Sequence, residues 1–414
     1  MLTETSNKIC VVIGASHAGV NFAFALRKEG WEGEIILFDS DPDFPYHRPP
    51  LSKAYLTSEE GTQHDLLFPK QNYETDNVTL KLGQTISSIH RKEKSISISD
   101  GSVQHYDKLV ISTGSRPFIP SIKGLNTANN VFAMRTAEDA INIRNALKKN
   151  HNKVVIIGGG YIGLETAASL SKKGALVTVL EREERVLSRV TAPEMSTYFE
   201  ELHHNHGVSI LSNKNVKSVD FHNKINEVHC DDSSSYKADI IIVGVGIKVN
   251  TELAEKAGLE IKDGIKVDAY CKTNDENIYA LGDCTYHYNL HYKKYIRLES
   301  VQNAVDQAKI AAKSICGEDI AYNSIPWFWS DQYDVKLQMV GLSQGYNQTI
   351  KRIETERDNC QSVWYFKDDE LLAVDAINNA KAYILGTRFI QKNQIIDKNK
   401  LSDISIGITP TSFI

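Results

Sequence analysis

The sequence predicts an α/β protein, and two stretches of the chain carry this prediction. In each stretch, a run of β-forming residues enters a glycine-rich turn and is followed by apolar residues at helical spacing. The first stretch covers residues 9–28 and the second covers residues 154–173. A chain of 414 residues is too long for one compact core, so we expect two or three domains.

The second stretch has a Gly-x-Gly-x-x-Gly turn between its strand and its helix. The three glycines are Gly158, Gly160 and Gly163. Such a turn points backbone amides of the helix N-terminus at an anion such as a pyrophosphate. The next apolar run ends at Glu181, and an acid at that place can accept hydrogen bonds from an adenosine ribose. A glycine-rich turn in an ordinary α/β layer is the alternative, and a second copy of the motif in the same chain disfavours it.

The first stretch has the same order with one change in the turn. The small residues at the motif positions are Gly14, Ser16 and Gly19. Serine is small enough to let the backbone approach a pyrophosphate, so the motif is weakened but not lost. The following strand, at 35–38, ends at Asp39, and Ser40 and Asp41 come directly after it. Which of these three residues meets a ribose stays open.

The order of segments predicts that one nucleotide domain is inserted into the other. A strand at 106–117 ends in a Gly/Ser/Pro break, where the chain can leave the first domain. A connecting helix is predicted at 137–149, and a strand at 238–246 closes the second domain. A strand at 273–283 and a helix at 300–315 then return to the first sheet in the simplest topology. The predicted domains are residues 1–114 with 246–325, which bind the first dinucleotide, and the inserted residues 115–245, which bind the second.

The character of the sequence changes near Pro326. Short strands at 362–366 and 371–375 have hairpin spacing, and a helix is predicted at 379–391. No nucleotide motif occurs in this part of the chain. Residues 326–414 therefore predict a small antiparallel α+β domain.

The composition argues against several classes of protein. A net charge of −5 and a pI near 6.2 give no reason to expect nucleic acid as the main partner. No apolar run approaches the roughly 20 residues of a membrane span. The polar residues 1–8 lead directly into a strand, so neither an anchor nor a signal peptide is expected. Six cysteines without a Cys-x-x-Cys pair favour a reducing, cytoplasmic location, and no metal site is predicted.

Six strings, spread over nearly the whole chain, resemble those of one known family. They are Arg48-Pro-Pro-Leu-Ser-Lys53, Gly158-Gly-Gly-Tyr-Ile-Gly-Leu-Glu165, Arg185-Val-Leu with Thr191-Ala-Pro193, Ala280-Leu-Gly-Asp283, Leu298-Glu-Ser-Val-Gln-Asn-Ala304 and Pro326-Trp-Phe-Trp-Ser-Asp-Gln332. The family is that of the FAD-dependent, NADH-oxidising ferredoxin reductases of oxygenase systems. The likeness departs from the family pattern at Ser16 and at Asp39-Ser40, where relatives more often carry their acid one position later.

The resemblance implies that FAD binds the first fold. The implied contacts to its pyrophosphate, its ribose and its remaining parts are Gly14, Ser16, Ala18, Gly19, Asp39 or Ser40, Arg48, Lys53, Ile86 and Arg135. Asp283 is similar to the acid that binds the ribityl chain, and Val301 would offer a backbone amide to the flavin ring. Trp327 and Trp329 are implied to pack near the flavin edge that faces the electron acceptor. A plain core role is equally open for Trp327.

The resemblance places NADH on the second fold. The implied contacts are Gly158, Gly160, Tyr161, Ile162, Gly163, Glu181 and Gly246. A carboxylate at Glu181 repels the 2′-phosphate of NADPH by roughly 1 kcal/mol or more, so NADH is the expected donor. Arg182 and Arg185 are close enough in sequence to complicate this preference. Tyr161 resembles a residue that covers the flavin until nicotinamide displaces it, with simple packing as the alternative.

Lys53 and Glu165 fall in different predicted domains. By resemblance they form an ion pair next to the flavin N5 atom, where the pair would position the two domains and shield the change in charge. An ordinary salt bridge between domains is the alternative. Together with Tyr161 and Trp329, these residues are the predicted catalytic group.

The implied activity is hydride transfer from NADH to FAD and delivery of single electrons to a 2Fe-2S ferredoxin. That ferredoxin would serve a cytochrome P450 or a ring-hydroxylating, Rieske-type dioxygenase, and the reductase is expected to be a monomer or a weak homodimer. Such ferredoxins are generally acidic, and the candidates for a basic docking face are Lys293, Lys294, Arg297, Lys309 and Lys313. Two alternatives stay open: a rubredoxin reductase, and a redox-responsive binding protein resembling apoptosis-inducing factor.

Overall fold

The computed structural model describes residues 8–148, 152–354 and 359–414. Its strands are β1 (Ile9–Ile13), β2 (Glu34–Asp39), β3 (Val78–Leu82), β4 (Ile86–His90), β5 (Ser95–Ile98), β6 (Val103–His105), β7 (Lys108–Ile111), β8 (Ser115–Pro117), β9 (Val131–Phe132), β10 (Lys153–Ile157), β11 (Leu176–Leu180), β12 (Ser209–Leu211), β13 (Val216–His222), β14 (Ile225–Cys230), β15 (Ser235–Ala238), β16 (Ile240–Val243), β17 (Ile247–Val249), β18 (Ile265–Val267), β19 (Ile278–Ala280), β20 (Thr285–Asn289), β21 (Lys294–Ile296), β22 (Trp327–Gln332), β23 (Val335–Gly341), β24 (Gln348–Ile353), β25 (Gln361–Lys367) and β26 (Glu370–Ile377). Its α-helices are α1 (His17–Lys28), α2 (Ala54–Thr57), α3 (Lys70–Thr75), α4 (Ala137–Leu147), α5 (Tyr161–Lys172), α6 (Pro193–Asn205), α7 (Glu252–Lys256), α8 (Val301–Ile315), α9 (Ala380–Gln391) and α10 (Lys398–Ser402).

The chain folds into two compact units, each made of segments that are distant in sequence. The first unit contains Met1–His47, Glu60–Arg116 and Lys248–Pro326, and the second contains Arg48–Glu59, Pro117–Ile247 and Trp327–Ile414. The predicted division into three domains is a finer partition of the chain and stays a prediction.

The first unit is built on a five-stranded parallel sheet with the order β19-β7-β1-β2-β3. Successive residues of β1, such as Val11 and Val12, are fully buried, as expected for a central strand covered on both faces. Helices α1 and α8 pack together in the core on one side. Because β19 follows the second nucleotide fold in sequence and pairs with β7, the predicted return of the chain to the first sheet is confirmed.

The second unit contains its own five-stranded parallel sheet, with the order β12-β11-β10-β16-β9. β10, the glycine turn and α5 follow one another as the sequence predicts. The structure adds an antiparallel sheet of β13, β14 and β15, which sequence analysis missed. The predicted α/β class with two dinucleotide-binding folds is therefore confirmed.

The C-terminal segment forms a five-stranded antiparallel sheet with the order β22-β23-β26-β25-β24. Sequence analysis identified β25, β26 and the helix α9, but it did not recognise β22, β23 and β24 as strands. Strands β22 and β23 form a tight hairpin in which Ser330 pairs with Leu337. The antiparallel α+β character that the sequence predicts for this region is confirmed.

Three strands are shorter than predicted. The stretch at 106–117 divides into β7 and β8, with Gly114 at φ +59° between them. Gly114 lies in the left-handed region and turns the backbone out of the sheet. The strand at 273–283 is confined to β19, and that at 238–246 to β16. The predicted last residue of the helix at 137–149 and the first seven residues lie outside the described ranges.

No cysteine forms a disulfide and five of the six are buried, so these five thiols pack as small apolar groups as predicted. Burial raises the pKa of the Cys284 thiol to about 11. Within the described ranges, no helix has the length and apolar character that crossing a bilayer requires. The same ranges contain no cluster of three or more histidine, cysteine or acidic residues suited to a metal ion.

We predict that His287 makes the first unit sensitive to mild acid. Its imidazole on β20 is 2% exposed, packs on the Tyr322 ring and lies 3.3 Å from the Gln307 amide, and burial lowers its pKa to about 4. The unfolded chain binds a proton near pH 6.5, so stability falls as the pH drops from about 6.5 to about 4, by up to about 3 kcal/mol. Urea unfolding of wild type and His287→Phe from pH 7 to pH 4.5 measures this difference. Equal pH dependence in the two proteins would contradict the prediction.

Candidate functional site

The two glycine turns have the same backbone geometry. Gly14 has φ +108° and Gly158 has φ +106°, a region that side chains other than glycine avoid. A Cβ atom at Gly14 would lie 2.3 Å from the carbonyl oxygen of Ser112, and one at Gly158 would lie 2.5 Å from that of Gly244. Both turns therefore require glycine at their first position.

The third position of each motif sets how closely the helix approaches the turn. A Cβ atom at Gly19 would lie 1.9 Å from the Gly14 carbonyl oxygen, and one at Gly163 would lie 2.2 Å from the Gly158 carbonyl oxygen. The first turns of α1 and α5 are thus held directly against their glycine loops. The N-cap residues Ser16 and Gly160 make no side-chain cap hydrogen bond, and amides in the first turn of a helix can bind a phosphate.

The middle position explains why Ser16 is tolerated. A Cβ atom at Gly160, the equivalent residue in the second fold, would meet no protein atom within 4 Å. The first fold can therefore carry a serine there without distorting its turn. The departure of Ser16 from the family pattern leaves the cradle for a dinucleotide intact.

The acids at the ends of β2 and β11 occupy matching positions. Asp39 accepts a hydrogen bond from the Ala15 amide at 2.6 Å, and Glu181 accepts one from the Gly159 amide at 2.6 Å. The other oxygen of each acid accepts from the amide two residues later, at 2.9 Å and 2.8 Å. This match favours Asp39 over Ser40 and Asp41 as the ribose acid, a choice that the sequence left open.

The other implied FAD contacts of the first unit lie at the ends of elements. Ile86 begins β4 and is buried, and Ala18 lies in the first turn of α1. Asp283 lies in a 3₁₀ turn, where its carboxylate accepts a hydrogen bond from the Ser115 hydroxyl at 3.2 Å. Val301 is the first residue of α8, after the Ser300 cap. These placements suit FAD-binding roles, which stay predictions.

In the second unit the structure brings Arg48 and Arg135 together. The Arg48 guanidinium donates to the Arg135 carbonyl oxygen at 2.8 Å. The Arg135 amide in turn donates to Asp139, which belongs to the capping box of α4. Arg48, the first residue of the Arg48–Lys53 string, is thereby bound to the segment before α4.

Glu165 is the buried centre of the second unit's candidate site. Its carboxylate is 3% exposed, and one oxygen accepts from the Lys53 ammonium and the Ser52 hydroxyl, each at 2.6 Å. The other oxygen accepts from the Ser330 hydroxyl at 2.7 Å. The predicted Lys53–Glu165 pair is therefore present. It lies inside one compact unit, because residues 48–59 fold with the second nucleotide fold, and does not join two units.

Tyr161 has a specific partner that sequence reasoning missed. Its hydroxyl donates to the Met339 thioether sulfur at 2.8 Å, on strand β23. Burial, reinforced by the nearby Asp375 and Glu165 charges, raises the pKa of the Tyr161 phenol. The ring is thus held as a neutral phenol against the C-terminal sheet. The sequence around Met339 gave no signal that could have predicted this contact.

Ser52 and Ser330 are the other residues that sequence reasoning did not assign. Both belong to strings that carry the family resemblance, and that membership was the available signal. Trp327 and Trp329 flank this region of β22 with ring centroids 5.7 Å apart, and both are half-buried. Their predicted positions beside a flavin edge stay predictions.

The remaining implied NADH residues surround the second glycine turn. Ile162 is about half exposed at the start of α5, and a Cβ atom at Gly246 would meet nothing within 4 Å. Arg182 pairs with Glu183, its neighbour in sequence. The Arg185 guanidinium donates to the Ser196 hydroxyl at 2.6 Å and to the Ser188 carbonyl oxygen. Both arginines that could receive a 2′-phosphate therefore have other partners.

The candidate basic docking face is largely balanced by acids. Arg297 contacts Asp263 and Glu299, and Lys313 lies 3.0 Å from Glu318. A further candidate, Lys309, lies 4.0 Å from Asp306. These neighbours weaken the positive field that the sequence suggested for this region.

Two parallel-sheet folds with matched glycine turns and matched acids define a protein that binds two dinucleotides. Residues 8–308 match the model of a family described as pyridine nucleotide-disulphide oxidoreductase, and residues 327–410 match a model described as reductase C-terminal. The chain belongs to the pyridine nucleotide-disulphide oxidoreductase family.

Individual relatives are similar over nearly the whole chain. Putidaredoxin reductase of Pseudomonas putida is 39% identical over 408 residues, which cover 97% of this chain and 96% of that protein. A ferredoxin–NAD(P)(+) reductase of a Sphingomonas species is 37% identical over 399 residues, 96% of this chain and 95% of that protein. The crystal structure of a covalent putidaredoxin reductase–putidaredoxin complex matches with a TM-score of 0.91 and 38% identity, covering 97% of each chain.

We predict that Gly163→Ala disrupts the second nucleotide site while Gly160→Ser preserves it. The added methyl at 163 would lie 2.2 Å from the Gly158 carbonyl oxygen, so α5 must move away from its turn. The dissociation constant for NADH should rise tenfold or more, about 1.4 kcal/mol, as measured by titration of the purified protein. The serine variant copies the arrangement at Ser16 and controls for the substitution itself. Equal affinity in both variants would show that this close approach is not needed.

Proposed function

We propose that this protein is an NADH-dependent ferredoxin reductase. It takes a hydride from NADH and passes single electrons to a 2Fe-2S ferredoxin, which feeds a cytochrome P450 or a Rieske-type, ring-hydroxylating dioxygenase. The observation that carries the proposal is the pair of matched dinucleotide cradles combined with Ser52 and Lys53 beside the buried Glu165. The names of the two relatives and of the ferredoxin complex point to the same activity.

The residues present fit FAD in the first unit. The Gly14 turn leaves no room for a side chain, Asp39 is oriented by two amides, and the start of α1 has no side-chain cap. We assign the pyrophosphate to the amides of this turn, the ribose to Asp39, the ribityl chain to Asp283 and the flavin ring to the start of α8 at Val301. When bound, FAD supplies the conversion between two-electron nicotinamide chemistry and the single electrons that an iron-sulfur centre accepts.

The second unit supplies the NADH site. Its glycine turn and the start of α5 receive the pyrophosphate, and Glu181 receives the adenosine ribose. The carboxylate disfavours a 2′-phosphate, and Arg182 and Arg185 are engaged by Glu183 and Ser196. These contacts support NADH over NADPH as the electron donor.

The Lys53–Glu165 pair and Tyr161 form the protein's part in the transfer step. The pair places a cation in a fixed position, since Glu165 is buried and holds Lys53 at 2.6 Å. A preorganised charge of this kind needs no rearrangement as charge develops nearby. Tyr161, held by Met339, occupies the start of α5 next to the glycine turn.

The mostly buried thiols, none of which forms a disulfide, support a cytoplasmic location for this activity. We also propose that the protein acts as a monomer or weak homodimer.

The function is tested by purifying the protein with FAD and supplying NADH or NADPH to several 2Fe-2S ferredoxins and a rubredoxin. We expect a yellow protein that reduces at least one 2Fe-2S ferredoxin rapidly with NADH. Rapid reduction of rubredoxin alone would identify a rubredoxin reductase instead. Slow transfer to every acceptor, with dimerisation driven by NADH, would identify a redox-responsive binding protein.

We predict that Glu181→Ala reduces the preference for NADH over NADPH about five- to tenfold, because removing the carboxylate removes about 1 kcal/mol or more of repulsion. The ratio of kcat/KM values for the two donors measures this preference. Glu184→Ala, which removes an exposed charge three residues later, is the matched control and should leave the ratio unchanged. An unchanged ratio in the Glu181 variant would remove the ribose assignment.

A further inference from the structure

A continuous chain of hydrogen bonds leads from the buried Glu165 carboxylate to Tyr333 within the second unit. Ser330 Oγ lies 2.7 Å from Glu165 Oε1, and Gln332 Nε2 lies 3.1 Å from Ser330 Oγ. His203 Nε2 lies 2.8 Å from Gln332 Oε1, and the Tyr333 hydroxyl lies 3.3 Å from His203 Nδ1. The side chains of Ser330, Gln332 and His203 are at most 1% exposed, so their hydrogen bonds are made to protein groups.

The direction of every bond in the chain follows from its first step. The Ser330 hydroxyl has one hydrogen, which it donates to Glu165, so it accepts from the Gln332 amide nitrogen. The Gln332 oxygen then faces His203, whose Nε2 must donate. Burial lowers the pKa of His203 to about 4, so the neutral ring has only that hydrogen and its Nδ1 accepts from the Tyr333 hydroxyl. All four donors therefore point toward the same carboxylate, an arrangement that strengthens each bond.

The backbone of Tyr333 gives an independent reason to assign a role to its side chain. Tyr333 lies in the two-residue turn between β22 and β23 and has φ +58°. A bulky residue is strained in this region, which glycine occupies freely. The ring is stacked on His206 at 3.7 Å, and the Lys172 ammonium lies 5.6 Å from its centre. The side-chain contacts of Tyr333 therefore offset the strain of its backbone.

We propose that His203, Gln332 and Tyr333 are positioning residues for the Lys53–Glu165 pair. They fix the rotation of the Ser330 hydroxyl so that it holds Glu165 Oε1, which leaves Oε2 directed at Lys53 and Ser52. Without the chain, the Ser330 hydroxyl is free to turn and the carboxylate loses a fixed donor. This inference rests on the proposed function, because the pair matters to turnover only if it acts in hydride transfer.

The matched variants His203→Leu and His203→Gln test the proposal. Leucine fills the buried space without a donor, whereas glutamine can place an amide nitrogen near the Nε2 position and donate to Gln332. Rapid mixing with saturating NADH gives the rate constant of flavin reduction, and dye equilibration gives the FAD midpoint potential. We expect about fivefold slower reduction and a shifted potential in the leucine variant, an unchanged dissociation constant for NADH, and recovery to within about twofold in the glutamine variant.

Two further variants set the scale of the effect. Lys53→Met removes the positioned cation. It should slow flavin reduction more than any substitution in the hydrogen-bond chain does. Tyr333→Phe removes only the outermost hydroxyl and should give a smaller effect than His203→Leu, with the fold intact. Two outcomes would overturn the proposal. A wild-type reduction rate and midpoint potential in His203→Leu would show that the hydrogen-bond chain is not coupled to the pair. Equal impairment in the leucine and glutamine variants would show that His203 acts by packing alone.

Nitrogen NMR of histidine-labelled protein tests the chain without turnover. The His203 ring should have hydrogen on Nε2 and an unprotonated Nδ1, and Gln332→Leu should shift the Nε2 resonance. Hydrogen on Nδ1 would overturn the proposed direction of the chain. If wild-type protein is not reduced by NADH but shows the expected ring resonances, the proposed function fails while the chain stands.

Discussion

The second unit depends on the burial of one carboxylate. A charged group removed from water must have its oxygens filled by donors, or the cost of desolvation is not recovered. Glu165 meets this requirement with Lys53, Ser52 and Ser330, which come from two separate segments of the chain. Removing any of these donors leaves a buried Glu165 oxygen with one hydrogen bond fewer, which costs free energy. The segment at 48–53, helix α5 and strand β22 are therefore held in one fixed arrangement.

The C-terminal sheet has no nucleotide motif, yet it shapes the second nucleotide fold. Asp375 on β26 accepts hydrogen bonds from the Tyr365 hydroxyl at 2.5 Å and the Thr191 hydroxyl at 2.8 Å, and burial raises its pKa to about 6. Thr191 lies two residues before the start of α6, so this contact joins the sheet to the nucleotide fold. Met339 adds the contact to Tyr161. The C-terminal sheet therefore positions residues of the second nucleotide fold.

The two glycine turns show that one steric solution serves both dinucleotides. Closely similar φ values, carbonyl contacts and acid hydrogen bonds recur at Gly14 and Gly158. The difference at Ser16 falls at the one motif position where the fold leaves open space. Ser16 weakens the match to the glycine motif but leaves the turn unchanged, because only the first and third positions of the motif are crowded.

The sequence by itself determined the α/β class, the two nucleotide folds, the insertion and the helices α1, α4, α5, α8 and α9, because apolar periodicity and glycine turns are local features of the chain. The structure alone decided that Asp39, and not Ser40, faces the glycine loop. It also brought Ser330 to Glu165, His203 to Gln332 and Met339 to Tyr161. These contacts join residues that are far apart in the chain, and several depend on strand register in a sheet whose first three strands the sequence did not reveal. Local pattern determines which elements form, whereas the partners of a buried polar group depend on which elements pack together.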